Sequence, residues 1–271
     1  MNDEKDIVIS VICYGNEDEV ISFARELSNQ KDKEKIILLV TCNKCNNIEL
    51  LKKELCKVQI SSRIFLPEKN LGYLQGCIYG IKEYNNNYKW AIISNTDIEF
   101  VSKSFFSEFL QKEYASDIAC VGPNIKLKGD IKKQNPFAIS RPDRQKMLVR
   151  KIAYSNYFFY RIYLELSRFK RNIHKDIQEV KSGVVYAVHG SIFFLKKQCI
   201  ERLISDNNSL FLYGEELYIA EMIRNEKQYC FYDNTLEVIH NQNQVTRKIG
   251  GRNRQRLFKQ SIDLLIQKFW Q

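Results

Sequence analysis

Proline is scarce in this chain, with four among 271 residues, and no Pro-, Ser- or Gly-rich stretch divides it. With no such linker and no internal repeat, the simplest expectation is one domain spanning 1–271. No run of about 18 apolar residues occurs, which excludes a membrane-spanning helix of the usual kind. The opening MNDEKDIVISVI has neither the basic start nor the cleavage site of a signal peptide, so a cytoplasmic location is expected. Histidine is limited to three residues, and neither an H-x(3–5)-H nor a second C-x-x-C accompanies Cys42 and Cys45. A zinc finger needs two more ligands than that pair supplies, so the pair reads as two loop thiols. Cys13, Cys77, Cys120, Cys199 and Cys230 sit singly in apolar runs and read as reduced core residues. Apolar residues at 44% and charged residues at 27% are globular values and exclude wholesale disorder.

The net charge of +10 is concentrated. Residues 126–181 hold 15 Lys and Arg against 5 Asp and Glu, so the remaining chain is neutral. The same segment carries Tyr154, Tyr157, Phe158, Phe159, Tyr160, Tyr163 and Phe169. Arg150, Arg161 and Arg168 are spaced by about three and two helical turns, which predicts one shared helix face. A basic, aromatic helical insertion at 126–181 fits an anionic membrane surface, or else a solvated helix packed by its aromatic side. No nucleic-acid-binding motif accompanies the charge, and no nucleic-acid partner is expected.

The first hundred residues alternate apolar runs with amphipathic stretches. Strands are predicted at 6–14, 35–41, 58–66 and 90–94, with helices at 17–29, 48–56 and 72–85. That alternation predicts an α/β fold with a mainly parallel twisted sheet flanked by helices. Such sheets bind ligands at the carboxyl ends of their strands, here Tyr14-Gly15-Asn16, Cys42-Asn43, Asn70-Leu71-Gly72 and Asn95-Thr96-Asp97. Further strands are predicted at 118–123, 184–188, 191–195, 228–232 and 236–239, with a basic C-terminal helix within 247–271.

Asp97, where a buried strand stops, is placed to bind a hard cation that also grips phosphate. Glu215-Glu216 opens a helix, where acids complement the dipole or serve as a general base in a cleft. His240 ends a strand and reads equally as a core histidine, a cap or a ligand.

Taken in order, VISVICYGNEDEV (8–20), KNLGYLQGCIYGIK (69–82), WAIISNTDIEF (90–100), VHGSIFFLKKQCIER (188–202), LFLYGEELYIAEMIR (210–224) and YDNTLEVIH (232–240) are specific. With the tail GGRNRQRLFK (250–259), they resemble family 2 glycosyltransferases of GT-A fold, especially the rhamnosyltransferase-like branch. The resemblance covers most of the chain outside 126–181.

It implies an inverting glycosyltransferase that moves a sugar from a nucleotide-sugar donor to a glycan or lipid-linked acceptor, in bacterial surface polysaccharide synthesis. It implies a divalent cation, Mg²⁺ or Mn²⁺, on Asp97 with His240, and Glu216, beside Glu215, as the catalytic base. Tyr14, Asn16, Asn43, Asn70, Gly72, Asn95, Gly190, Ser191 and Arg252 are implied around the donor. A peripheral position on the inner face of the cytoplasmic membrane follows from such an acceptor. Three departures stand out: Cys42 replaces the usual base-contacting Asp, Tyr218 an Asp, and Tyr79 an Asn. They leave a catalytically silent binding subunit as the alternative.

Overall fold

The computed structural model describes residues 5–129, 134–173, 180–206, 210–241 and 250–271, the side chains of 168 and 170–173 excepted. Its first half is a parallel sheet of β1 (Ile7–Tyr14), β2 (Ile36–Lys44), β3 (Ser61–Phe65) and β4 (Trp90–Ser94), in the order β3-β2-β1-β4. Alternate residues of β1 and β2 enter two different cores, which is why both read as unbroken apolar runs. Val8, Ile37 and Leu39 face α3 (Leu74–Tyr84). Ile7, Ile9, Val11, Leu38 and Val40 face α1 (Glu17–Ser28) and α2 (Ile48–Lys57). α1 buries Val20, Ile21, Phe23, Ala24 and Leu27 at helical spacing, as the sequence predicts.

The second half adds β5 (Ile98–Phe100), α4 (Phe105–Leu110), β6 (Ile118–Leu127), α5 (Arg144–Tyr154), α6 (Tyr157–Ile173) and β7 (Gly183–Val185). β8 (Ile192–Lys196), α7 (Lys197–Ser205), α8 (Glu215–Asn225), β9 (Tyr229–His240) and α9 (Gly251–Phe269) complete it. β8 lies antiparallel between β4 and β6, while β6 and β9 run parallel, and β5 and β7 join β9 antiparallel. The two longest ladders, β1–β2 and β6–β9, are parallel. The sheet is thus mainly parallel, with its antiparallel pairs gathered around β8 and β9.

Several expectations need correction. The strands predicted at 228–232 and 236–239 are one strand, because the register jumps from Pro123↔Asp233 to Asn124↔Glu237 and the extra residues bulge out of β9. Residues 126 and 127 end β6, so the insertion starts after them. The three arginines do not share one helix. The chain breaks at Ser155-Asn156, where Asn156 Oδ1 accepts the Phe159 N–H at 3.0 Å and starts α6. Arg150 therefore stands on α5 and Arg161 on α6, while the Arg168 side chain lies outside the described residues. The C-terminal helix begins at Gly251; residues 247–249 also lie outside the described ones.

The insertion is fastened to the body. Arg141 donates to both carboxylate oxygens of the buried Glu221, at 2.7 and 3.1 Å, and its guanidinium lies 4.4 Å from the Trp270 ring centre. Tyr186 donates to Glu221 as well. Removing one partner of such a buried pair typically costs about 3–5 kcal/mol, because the other charge is left unpaired. Tyr154 and Tyr160 pack on Phe258 of α9, at 5.1 and 6.0 Å between ring centres. Phe158 and Phe169 on α6 remain 69% and 67% exposed.

Candidate functional site

At the carboxyl end of β4 the chain turns through Asn95-Thr96-Asp97. The turn is held on one side by Asn95 N–H donating to Ser191 O at 2.7 Å. On the other side, Asn16 Nδ2 donates to Thr96 Oγ1 at 3.1 Å, and Asn16 Oδ1 accepts the Tyr14 N–H. Asn16 is thereby a brace between two strand ends. Tyr14 stays 45% exposed, with Lys44 above its ring.

His240 ends β9 opposite Ile98, which brings its Nε2 within 3.2 Å of Asp97 Oδ1, with both side chains largely shielded from solvent. Gln134 Oε1 lies 2.6 Å from His240 Nδ1. An Nδ1–H donating to Gln134 leaves the Nε2 lone pair facing a carboxylate oxygen, an arrangement that requires a proton or a cation between them. Asn241 N–H donates to Asp97 O, and Asn241 Oδ1 is buried with no hydrogen-bond partner among the described residues. One imidazole nitrogen, one carboxylate and a nearby unsatisfied oxygen are the donor types a hard divalent cation takes, so the residues present fit Mg²⁺ or Mn²⁺.

The acidic pair approaches from α8. Tyr213 and Gly214 both have positive φ, 70° and 89°, and this left-handed turn delivers Glu215 and Glu216 at the helix start. Gly190 N–H donates to Glu216 Oε1 at 3.2 Å, and a Cβ on Gly190 would stand 2.7 Å from that oxygen. The glycine is what allows the carboxylate against the backbone. Tyr73 OH donates to Gly190 O at 3.0 Å, and Ser191 Oγ lies 3.0 Å from His189 Nδ1. The His189 ring in turn sits 6.5 Å from that of His240. The loop Gly190-Ser191 thus touches Glu216 of α8 on one side and, through Asn95, the turn that carries Asp97 on the other.

Asn70, Gly72 and Asn43 shape the adjoining turn. Asn43 donates to Gly72 O at 2.7 Å and accepts Leu71 N–H at 3.0 Å, while Asn70 Oδ1 accepts Gly72 N–H. Gly72 has φ +80°, and a Cβ there would lie 1.8 Å from Phe211 O. Arg252 stands apart, its guanidinium over Tyr157 at 5.8 Å. Its neighbour Arg254 reaches the Tyr213 hydroxyl instead.

No protein-family model matches the chain, and no curated protein matches it in sequence. Solved structures do match. A mannosyltransferase from Pyrobaculum calidifontis, solved with GDP-Man and Mn²⁺, superposes with a TM-score of 0.59 over 98% of this chain and 64% of its own, at 9% identity. GalNAc-T7, solved with UDP, GalNAc and Mn²⁺, superposes with a TM-score of 0.61 over 88% of this chain and 44% of its own, at 12% identity. The fold is of the GT-A type. This GT-A chain spans under two thirds of either neighbour's length.

Electrostatics separate Glu215 from Glu216. Burial and the charge of Glu216 push Glu215 up to about 8, and Glu215 Oε1 accepts Tyr213 N–H at 2.9 Å. Burial also raises Glu216, against hydrogen bonds from backbone N–H groups including that of Gly190. Burial and His240 push His189 down to about 4, so it is neutral at pH 7. His189, Gln134 and Tyr73 are site neighbours that sequence reasoning missed. His189 directly precedes Gly190, so its polarity beside that glycine was a usable signal. The others are placed by long-range packing.

Proposed function

We propose that this chain is a glycosyltransferase that moves a sugar from a nucleotide-sugar donor to an acceptor hydroxyl. The observation that carries the reading is the loop Gly190-Ser191, which holds Glu216 on one side and ties to the Asn95 turn before the Asp97–His240 pair on the other, at the strand ends of a GT-A sheet. Asp97 and His240 would hold Mg²⁺ or Mn²⁺, which supplies neutralisation of the charge developing on a leaving diphosphate. Glu216 takes the acceptor proton as the hydroxyl attacks the anomeric carbon from the face opposite the diphosphate, giving inversion. Its raised pKa suits that task. Glu215, protonated at pH 7, holds the turn before the helix through Tyr213. Gly190 and Ser191 leave room for a sugar to approach the backbone. Tyr14 and the turn fastened by Asn43, Asn70 and Gly72 flank the nucleotide, with Asn16 and Asn95 bracing the strand ends. Arg254, or Arg252 two residues before it on α9, supplies positive charge for the diphosphate.

The finer reading, rhamnosyl or other hexosyl transfer in bacterial polysaccharide or lipopolysaccharide assembly, draws on the motif order. A lipid-linked acceptor agrees with α6, where Phe158, Ile162, Leu166 and Phe169 form an exposed apolar stripe in the segment that carries the whole excess charge. That composition matches an anionic membrane surface. Among the described residues no helix is long and apolar enough to cross a membrane.

The test is a panel of nucleotide-sugars with Mg²⁺ or Mn²⁺, scored by nucleoside diphosphate release and acceptor glycosylation. Turnover of one donor that is lost in Asp97→Ala, with the variant still folded, is expected. Absence of turnover with every donor, with binding retained, would favour a silent binding domain.

A further inference from the structure

Cys13 is a free, buried core residue, as its apolar run predicts, and the strand register adds two cysteine neighbours. Cys13 pairs with Cys42 across β1–β2, and the register shifts immediately afterwards, which turns Cys45 back toward both. The three sulfurs lie within 4.8 Å of one another. A tetrahedral zinc–sulfur bond of about 2.3 Å sets sulfurs roughly 3.8 Å apart, so a contraction of about 1 Å closes the triangle. Two further features match a thiolate site. The backbone N–H of Asn16 faces the Cys13 sulfur. The N-termini of α1 and α2 also lie at this end of the sheet, and their positive poles favour negative charge. Glu17, whose carboxylate meets the Cys45 thiol, lies outside that 4.8 Å group and becomes the fourth ligand as the triangle closes. Its Oε1 accepts the backbone N–H groups of Asn46 and Asn47, while Oε2 accepts from the Asn46 amide at 3.3 Å.

We propose that Cys13, Cys42, Cys45 and Glu17 hold one Zn²⁺, a structural clip that ties the carboxyl ends of β1 and β2 to the start of α1. The site is separate in chemistry from the Asp97–His240 pair: thiolates select Zn²⁺, whereas carboxylate with oxygen donors suits Mg²⁺ or Mn²⁺. Each thiol gives up its proton to solvent as its sulfur binds. The clip would stiffen the turn that carries Tyr14 and Asn16 and the strand end that carries Asn43.

The full chain is purified reduced, stripped of metal, and titrated with Co²⁺. One equivalent per chain is expected, with a near-ultraviolet thiolate-to-cobalt band and tetrahedral visible bands, both displaced by Zn²⁺. Cys45→Ser, at a half-buried position, should lose the stoichiometric band. Cys199→Ser, in the other core, should keep it. Glu17→Gln should retain thiolate absorption but weaken Co²⁺ by about tenfold or more, the scale seen for altered metal surroundings. Zn²⁺ should raise the melting temperature of the parent and not of Cys45→Ser. A parent chain with all thiols reduced that shows no such band overturns the proposal, as does a band untouched by Cys45→Ser. Recovery of a Cys42–Cys45 disulfide under conditions where Co²⁺ finds no site would assign the cluster to thiol oxidation instead.

Discussion

Glu215 and Glu216 are neighbours in sequence that meet different surroundings, and their side chains are separable by experiment. Glu216→Gln is expected to keep donor binding and lower transfer by roughly 100-fold or more, the usual cost of a lost general base. Glu215→Gln should cost much less, since Gln retains the acceptor for Tyr213 N–H; steady-state kinetics on both variants rank them. Stability should respond in the opposite sense. A folded-state pKa of about 8 against an ordinary 4.5 means the native state binds more protons than the unfolded chain between those values. Stability contributed by this group is complete below pH 4.5 and is lost as pH rises toward 8. Glu215→Gln removes that dependence. Thermal melts should therefore coincide with the parent near pH 4.5 and exceed it by several degrees at pH 8, at about 2–4 °C per kcal/mol for a domain of this size class.

Among the elements, the loop entering β8 is the most tightly specified part of the site. A methyl group on Gly190 meets the tip of Glu216, a flexible side chain, so Gly190→Ala should fold while displacing the carboxylate. The expected result is a kcat reduced about tenfold or more with little change in donor Kd, because misplacement by about 1 Å is costly to catalysis. The parent kcat in a folded Gly190→Ala would remove Glu216 from the reaction. The elements that sequence patterning revealed are those set by local periodicity. β1, β2 and β4 are continuous apolar runs, and α1 carries one apolar stripe, so the strand-end turns holding Asn16, Asn43 and Asp97 could be located from them. The bulge in β9 and the break at Ser155-Asn156 could not, since partner register decides the first and an asparagine cap inside an aromatic run the second. The Cys13–Cys42–Cys45 cluster was hidden for the same reason: pairing two strands in one register brings together residues that spacing keeps apart.

For the whole molecule, charge and exposed aromatics coincide on α5 and α6 while their tyrosines hold those helices to α9. Co-sedimentation with anionic liposomes at low salt is expected, falling as salt rises, and weakening in Phe158→Ser combined with Arg161→Glu. Equal recovery with neutral and anionic vesicles would leave the apolar stripe without a membrane role. The order of the site along the chain has its own consequence. The parallel half, with the turns that would surround a nucleotide, is complete by β4, and Asp97 follows at once. Glu216 and His240 come more than a hundred residues later, on α8 and at the end of β9. A ribosome stalled between those points releases a fragment that has the strand-end turns and one carboxylate but neither the base nor the histidine. Under the proposed assignment, incomplete translation products sequester no acceptor proton and spend no donor: they are inert during synthesis, and chemistry begins only when β9 closes against β5 and β6.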